Sequence, residues 1–197
     1  MDQLETYFES KSFNYCGTEL RPHFILEKFG LKGSATIAGV GSCQVKTEHL
    51  VDWEDRLENE TIVAQKMLHF IGEFFGRSLP EIVALQRLFV SSLCENLNRA
   101  LSEAGRVERV FRKGDDILMG AGPSQTRKMS VSIVTSSPVS QLIHVGVNVD
   151  PTGAPVPAVG LEELGLSASK LAQSGLEIFS DEYRQIQWAC AKVRPVM

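Results

Sequence analysis

The sequence predicts an α+β fold, a mixed and mostly antiparallel sheet with helices packed on it. Two features carry that expectation. Through the middle of the chain apolar residues recur three and four apart, the repeat of a helix with one buried stripe; after Gly105 they alternate every second residue, the repeat of a half-buried strand. Gly, Asp, Ser and Pro interrupt the alternating part at short intervals, as turns between antiparallel strands do.

Taken in order, ELRPHFILEKF (Glu19–Phe29) has helical apolar spacing with Gly30 as its stop, which reads as a short helix. GSATIAGVG and CQVKTEHLV read as two short strands about a Gly-Val-Gly-Ser turn. The acidic stretch DWEDRLENE leads into a predicted helix from about Glu60 to Phe75, with Val63, Met67, Phe70, Ile71 and Phe74 on one stripe and Gly76 at its end. Ser78-Leu79-Pro80-Glu81 has the spacing of a capping box, in which each side chain satisfies a backbone N–H at the other's position. A long helix to about Glu103 follows, striped by Ile82, Leu85, Phe89, Leu93, Leu97 and Leu101 and closed by Gly105. VERVFR, a Lys113-Gly114-Asp115 turn, DILMG, KMSVSIVT and QLIHVGVNV then make a predicted antiparallel meander. PTGAPVPAVG is loop, and two helices are expected at about Leu161–Ser174 and Ser180–Lys192.

With 197 residues, 43% hydrophobic and 22% charged, the chain can bury one sizeable core, and neither repeats nor a polar linker divide it. A single domain over 1–197 is expected. Lys and Arg number 20 against 24 Asp and Glu, a net charge of −4, with no run of like charge, so nucleic acid is not an expected partner. No apolar stretch approaches the ~18 residues of a membrane span, and the acidic start MDQLETYFES is unlike a secretory signal, so no membrane partner is expected. Cys16, Cys43, Cys94 and Cys190 are scattered without a C-x-x-C pair, which suits a reducing cytoplasm. Cys94 reads as a small core residue; Cys43, in the Gly-rich GVGSCQV with Gly41, is the thiol a turn could expose to a ligand.

The most specific local pattern is DDILMG, then RKMSVSI, then QLIHVGVNVD. It resembles the core of the biotin/lipoate ligase and lipoyl-transferase catalytic domain, where an acidic residue begins a strand, Arg-Lys follows a short turn, and His-x-Gly lies on the next strand. The matching residues are Asp116, Arg127, Lys128, His144 and Gly146. That superfamily shares its fold with class II aminoacyl-tRNA synthetases, so the resemblance implies a biotin/lipoate ligase-like fold. It also implies that Lys128 polarises an acyl carbonyl or acyl-adenylate, with His144 and Gly146 lining the same pocket. The chain departs from these families where AGVGSCQVKTEHLVD replaces the signature R-R-x-x-G-G-G-x-V-x-H-D, and residues 147–175 hold no cysteine for acyl transfer. Over nearly its whole length it resembles the prokaryotic family called domain of unknown function 366, through EHLVDWED, MLHFIGEFF, LQRLFV and KMSVSIVTSSPVSQLIHVGVN.

The leading expectation is a small-molecule ligase or acyltransferase-like enzyme acting on a carboxylate or acyl substrate, with Lys128 and His144 as catalytic candidates. Cys43, Gly41, Asp116, Gly146 and Arg87 are the candidate ligand contacts, Arg87 because it sits one position from a buried stripe and can reach a carboxylate or phosphate. Lys128, His144 and Cys43 are expected in one pocket. The cofactor stays open, with ATP and Mg as candidates; a small molecule is the expected partner, and a homodimer stays open. Two alternatives remain: a ligand-binding domain without catalysis, and a metal-dependent hydrolase. The latter would use His49 and Asp52, three apart among Glu48, Glu54 and Asp55, although these acids equally suit a helix N-terminus. His69 and Glu73, four apart on the predicted helix, read as a core-edge histidine and its neighbour.

Overall fold

The computed structural model describes residues 3–120 and 125–196. Along the chain run β1 (Glu5–Glu9), α1 (Phe24–Phe29), β2 (Ala35–Val45), a single 3-10 turn (Thr47–His49), α2 (Trp53–Leu57), β3 (Ile62–Phe75) and α3 (Leu79–Glu103). They are followed by β4 (Val110–Lys113), β5 (Asp116–Met119), β6 (Arg127–Lys128), β7 (Ser130–Ser136), β8 (Ser140–Asp150) and α4 (Ala168–Ala191). A five-stranded sheet has the order β1-β2-β3-β8-β7, and β4-β5-β6 form a smaller sheet. Only the β1–β2 pair is parallel among the pairings between named strands, so the mixed, mostly antiparallel α+β fold is the one the sequence predicts.

The two faces of the large sheet differ because strand side chains alternate. Along β8, Ile143, Val145, Val147 and Val149 join one core cluster with Leu68, Phe70 and Phe74 of β3 and with the apolar stripes of α3 and α4. The alternate residues Leu142, His144, Gly146 and Asn148 face the other way, as do Met67, His69, Ile71 and Glu73, their partners or neighbours in β3. A second cluster covers that face, with Phe13, Tyr15, Phe24 and Ile25 lying over Ile37, Met67 and Ile71. Aromatic rings tie the helical side together: Phe70 meets Phe89 edge-on at 5.1 Å, and Phe89 stacks on Phe179 at 4.2 Å.

The long helix begins where its capping box predicts. Ser78 accepts from Glu81 N, Glu81 accepts from Ser78 N at 2.7 Å, and all six residues of the expected stripe are buried. Four other expectations fail. The segment expected as a helix over about Glu60–Phe75 is the strand β3, because Met67 to Phe74 are buried on both faces and a nearly continuous apolar run satisfies a helical stripe as readily as a strand. The two strands expected about a Gly-Val-Gly-Ser turn are one strand, β2, with a register shift between Gly41 and Cys43 rather than a reversal. Arg127–Lys128 pairs with β5, whereas Ser130–Ser136 pairs with β8, so the single meander is split between two sheets at Met129. The two C-terminal helices are one, α4, which keeps Gly175 inside it because a Cβ there would come 2.9 Å from Phe70 Cζ.

The packing sets an energetic contrast that urea unfolding can read. Phe70→Ala, which empties the contact with Phe89, should cost about 3–5 kcal/mol, and Ser78→Ala, which removes one cap, about 1 kcal/mol. Equal costs would contradict the burial of Phe70 between β3 and α3.

Candidate functional site

On the sheet face turned away from the long helices lies a cavity of about 280 Å³. Its floor is Met67 of β3, Val131 and Ile133 of β7, and His144 of β8. One wall comes from the segment between β2 and β3, which contributes Leu50, Asp52, Asp55 and Glu60; the other comes from Asp116 and Lys128 of the small sheet, Asp115 of its β4–β5 turn, and Pro155 and Val156. Tyr15 closes the inner end, its ring stacked on His144 at 3.9 Å. The result is an apolar floor beneath a charged mouth, the usual form of a small-molecule site.

Lys128 is fixed from both sides of its backbone. Its N–H donates to Pro157 O at 2.8 Å, and its carbonyl accepts from Val159 N at 3.1 Å and Asn148 Nδ2 at 3.2 Å. Its Nζ lies 3.1 Å from Asp116 Oδ2. Both side chains are about a third exposed (36% and 31%), so solvent weakens the pair and leaves the ammonium available to a ligand. Burial raises the Asp116 carboxyl above its ordinary pKa, outweighing the pull of Lys128. Asp55 is raised as well, by burial and then by Asp52 and Glu60, again against Lys128. Lys128 is the one Lys or Arg among the described lining residues, facing five carboxylates.

Beneath the mouth is a pair of buried imidazoles. His69 Nδ1 and His144 Nε2 are 3.1 Å apart, and both rings are almost wholly shielded from solvent. Burial pushes His69 down to about 4 even though the Gly41 and Ser42 carbonyls favour its charged form. His144 is driven well below its ordinary value by burial and then by His69. Both are therefore neutral at pH 7, and one must donate to the other. Tyr15 is raised above the ordinary phenol by burial and carries its proton.

Of the residues singled out from sequence, Lys128, His144, Asp116, His49 and Asp52 line this one cavity. Cys43 does not. It is fully buried, bridged alongside Tyr15 and absent from the cavity lining, and burial pushes its thiol up to about 12, so the expectation that it shares a pocket with Lys128 and His144 fails. Gly41 faces protein: a Cβ there would lie 2.2 Å from Phe13 O, so its missing side chain admits the Phe13–Asn14 backbone. Gly146 likewise makes room for Met67 Sδ, 2.3 Å from where its Cβ would be. Arg87 lies outside the lining, paired with Asp115 at 3.4 Å. Asp52 caps α2 by accepting from Glu54 N at 2.8 Å and Asp55 N at 3.4 Å, and His49 meets Glu48 at 3.6 Å. Among the described residues no three His, Cys, Asp or Glu side chains are grouped to hold a metal ion, which disfavours the metal-hydrolase alternative. His69 and Glu73 lie on a strand, both fully enclosed, and Glu73 accepts from His23 N and Ser140 Oγ. Sequence reasoning missed Tyr15 and the role of His69; a strand reading of MLHFIGEFF would have put His69 and Met67 on one face.

A family model described as a domain of unknown function (DUF366) matches residues 4–194. The chain is similar to a solved protein of unknown function from Pyrococcus horikoshi, with 33% identity and a TM-score of 0.88, covering 98% of this chain and 100% of that one. Its fold is also similar to that of a biotin protein ligase variant from Aquifex aeolicus in complex with biotin (12% identity, TM-score 0.54, 92% of this chain and 70% of that one). The P. falciparum protein LipL1 in complex with lipoate is comparable (8% identity, TM-score 0.54, 98% and 64%). At such identities the likeness is one of fold, the biotin/lipoate ligase-like fold that the ordered match of Asp116, Lys128 and His144 implies.

The neutral histidine pair makes stability depend on pH with a definite sign. Below about 6.5 an unfolded histidine takes up a proton that the folded rings refuse, so stability is fully present above that pH and is lost as pH falls toward about 4. The loss should approach about 1.4 kcal/mol per pH unit for each histidine. The raised Asp55 and Asp116 act in the opposite direction, so the decisive comparison is with a His69→Asn/His144→Gln double variant, unfolded in urea at several pH values. Its curve should be flatter over this window; equal slopes would contradict the neutral buried pair.

Proposed function

The chain belongs to the family described as a domain of unknown function (DUF366), and from that premise we propose that it is a small-molecule ligase or acyltransferase-like enzyme, acting on a carboxylate or acyl substrate. One observation carries the proposal: Lys128, backbone-anchored, is the one Lys or Arg among the described residues lining a cavity of about 280 Å³ with an apolar floor. An apolar acyl body suits the floor of Met67, Val131 and Ile133, and its carbonyl end would meet the ammonium at the mouth. Negative charge that develops on that carbonyl oxygen during acyl transfer is stabilised by a fixed positive charge in a site partly shielded from water.

The acidic mouth sets a limit on cofactors. A triphosphate needs several donors or cations, and among the described lining residues one lysine stands with five carboxylates, while Phe13 covers Gly39 and Gly41 of β2. The residues present do not fit ATP by themselves, so no step is derived through it. The binding partners of the ligases of similar fold, biotin and lipoate, define the first compounds to try.

The test is thermal stabilisation and product formation with biotin, lipoate and straight-chain fatty acids, offered free with ATP and Mg²⁺ and as activated acyl compounds. Turnover should fall about 10²- to 10³-fold in Lys128→Ala, the usual cost of one oxyanion-stabilising group, while the ligand still raises the melting temperature through its apolar contacts. Stabilisation without product in the wild type would instead indicate a binding domain, and unchanged turnover in Lys128→Ala would overturn the role of this lysine.

A further inference from the structure

The buried pair beneath the cavity has a directionality that follows from its surroundings. The Gly41 and Ser42 carbonyls lie near the His69 ring, its Nδ1 faces His144, and its Nε2 is buried without a hydrogen-bond partner. Carbonyl oxygens accept but cannot donate, so the proton of a neutral His69 belongs on Nε2, the nitrogen that His144 does not engage. That leaves Nδ1 bare, and the partner 3.1 Å away, His144 Nε2, must then supply the proton of the shared bond. With its own proton on Nε2, a neutral His144 has a bare Nδ1. Tyr15 stacked at 3.9 Å and 11° holds the ring plane, and the ring lines the cavity that Lys128 also lines.

We propose that His69 is a positioning residue: it holds His144 in the Nε2–H tautomer, so that the unprotonated Nδ1 serves as the general base for the acyl acceptor in the cavity. The assignment of a base rests on the acyl-transfer reading above; the assignment of the tautomer does not. In the step that follows, an amine or hydroxyl acceptor bonds through its lone pair to the acyl carbon of an activated acyl compound while its proton moves to His144 Nδ1. The bond from that carbon to the leaving group breaks, and the same proton passes to the departing atom, so the histidine ends neutral as it began. While His144 carries the proton, His69 Nδ1 still accepts from Nε2–H and steadies the transient cation, as the orienting partner of a catalytic histidine does.

Nitrogen NMR of the full chain labelled with ¹⁵N-histidine decides the tautomer without any substrate. At pH 7 both His69 and His144 should show protonated Nε2 and bare Nδ1; a protonated Nδ1 on His144 would overturn the proposal. His69→Asn, whose Oδ1 can accept where Nδ1 stood, should leave His144 in its tautomer and keep most of the turnover. His69→Leu removes the acceptor, so His144 should divide between tautomers and kcat should fall roughly tenfold or more with KM little changed, within the range that general-base catalysis contributes. An unaltered His144 spectrum in His69→Leu, or equal kcat in the Leu and Asn variants with equal melting temperatures, would overturn it. If His69→Leu does not fold, the wild-type and Asn spectra still decide. If no acyl compound is turned over, it is the reading under Proposed function that fails, and the spectra continue to test the tautomer.

Discussion

Everything at this site depends on β3 and β8 being enclosed on both faces by different things. On one face the strands present Leu68, Phe70, Phe74 and the β-branched run of β8 to α3 and α4; on the other they present His69, His144, Met67 and Asn148 to a cavity and its cover. A slip of one residue would exchange the two sets. It would drive two imidazoles into an apolar core, where an unsatisfied polar group costs several kcal/mol, and expose the valines. The register Ile71 to His144 to Ile133 is therefore specified by burial on both sides, and it is the register that brings His69 and His144 within one bond of each other.

The cavity inherits its chemistry from where three chain segments meet that face. The sheet itself gives apolar floor and neutral imidazoles, which burial keeps uncharged. The small sheet brings Lys128 and Asp116 to the mouth, and the segment before β3 brings Asp52, Asp55 and Glu60. Glycines that in a ligand-gripping strand would stay open are here covered by Phe13 and by Met67, so the site is polar at the mouth and shaped by side chains rather than by bare backbone.

Legibility in the sequence followed how local the determining interactions are. The capping box at Ser78 and Glu81, the stripe of α3 and the Gly114 turn, where φ is 64°, are written within a few residues and read correctly. The strand β3 was not legible, because a strand buried on both faces loses the alternation that marks strands, and whether α3 and Phe13 cover its two sides is a tertiary fact. Gly175 falls between the two helices that the sequence predicts, yet it lies inside α4, where its missing side chain lets the helix approach Phe70. At the site, the resemblance carried by Asp116, Lys128 and His144 implies a shared pocket, and these three line one cavity. Tyr15 lies 129 positions before His144 and meets it only through the packing of the segment before α1, and His69 lies on a strand whose apolar spacing predicts a helix. A Gly-Val-Gly-Ser turn would expose Cys43, but β2 runs on there through a register shift between Gly41 and Cys43.

The central claim is that the cavity between Lys128 and His144 is where a small acyl molecule binds, and filling it is the most direct test. Val131 lines its floor on the edge strand β7, so Val131→Trp should occupy the space while leaving Lys128 and His144 in place. Binding of a compound that stabilises the wild type, followed by calorimetry, should be lost in the folded Val131→Trp protein. Undiminished affinity in that variant would mean that the ligand binds elsewhere and would contradict the account.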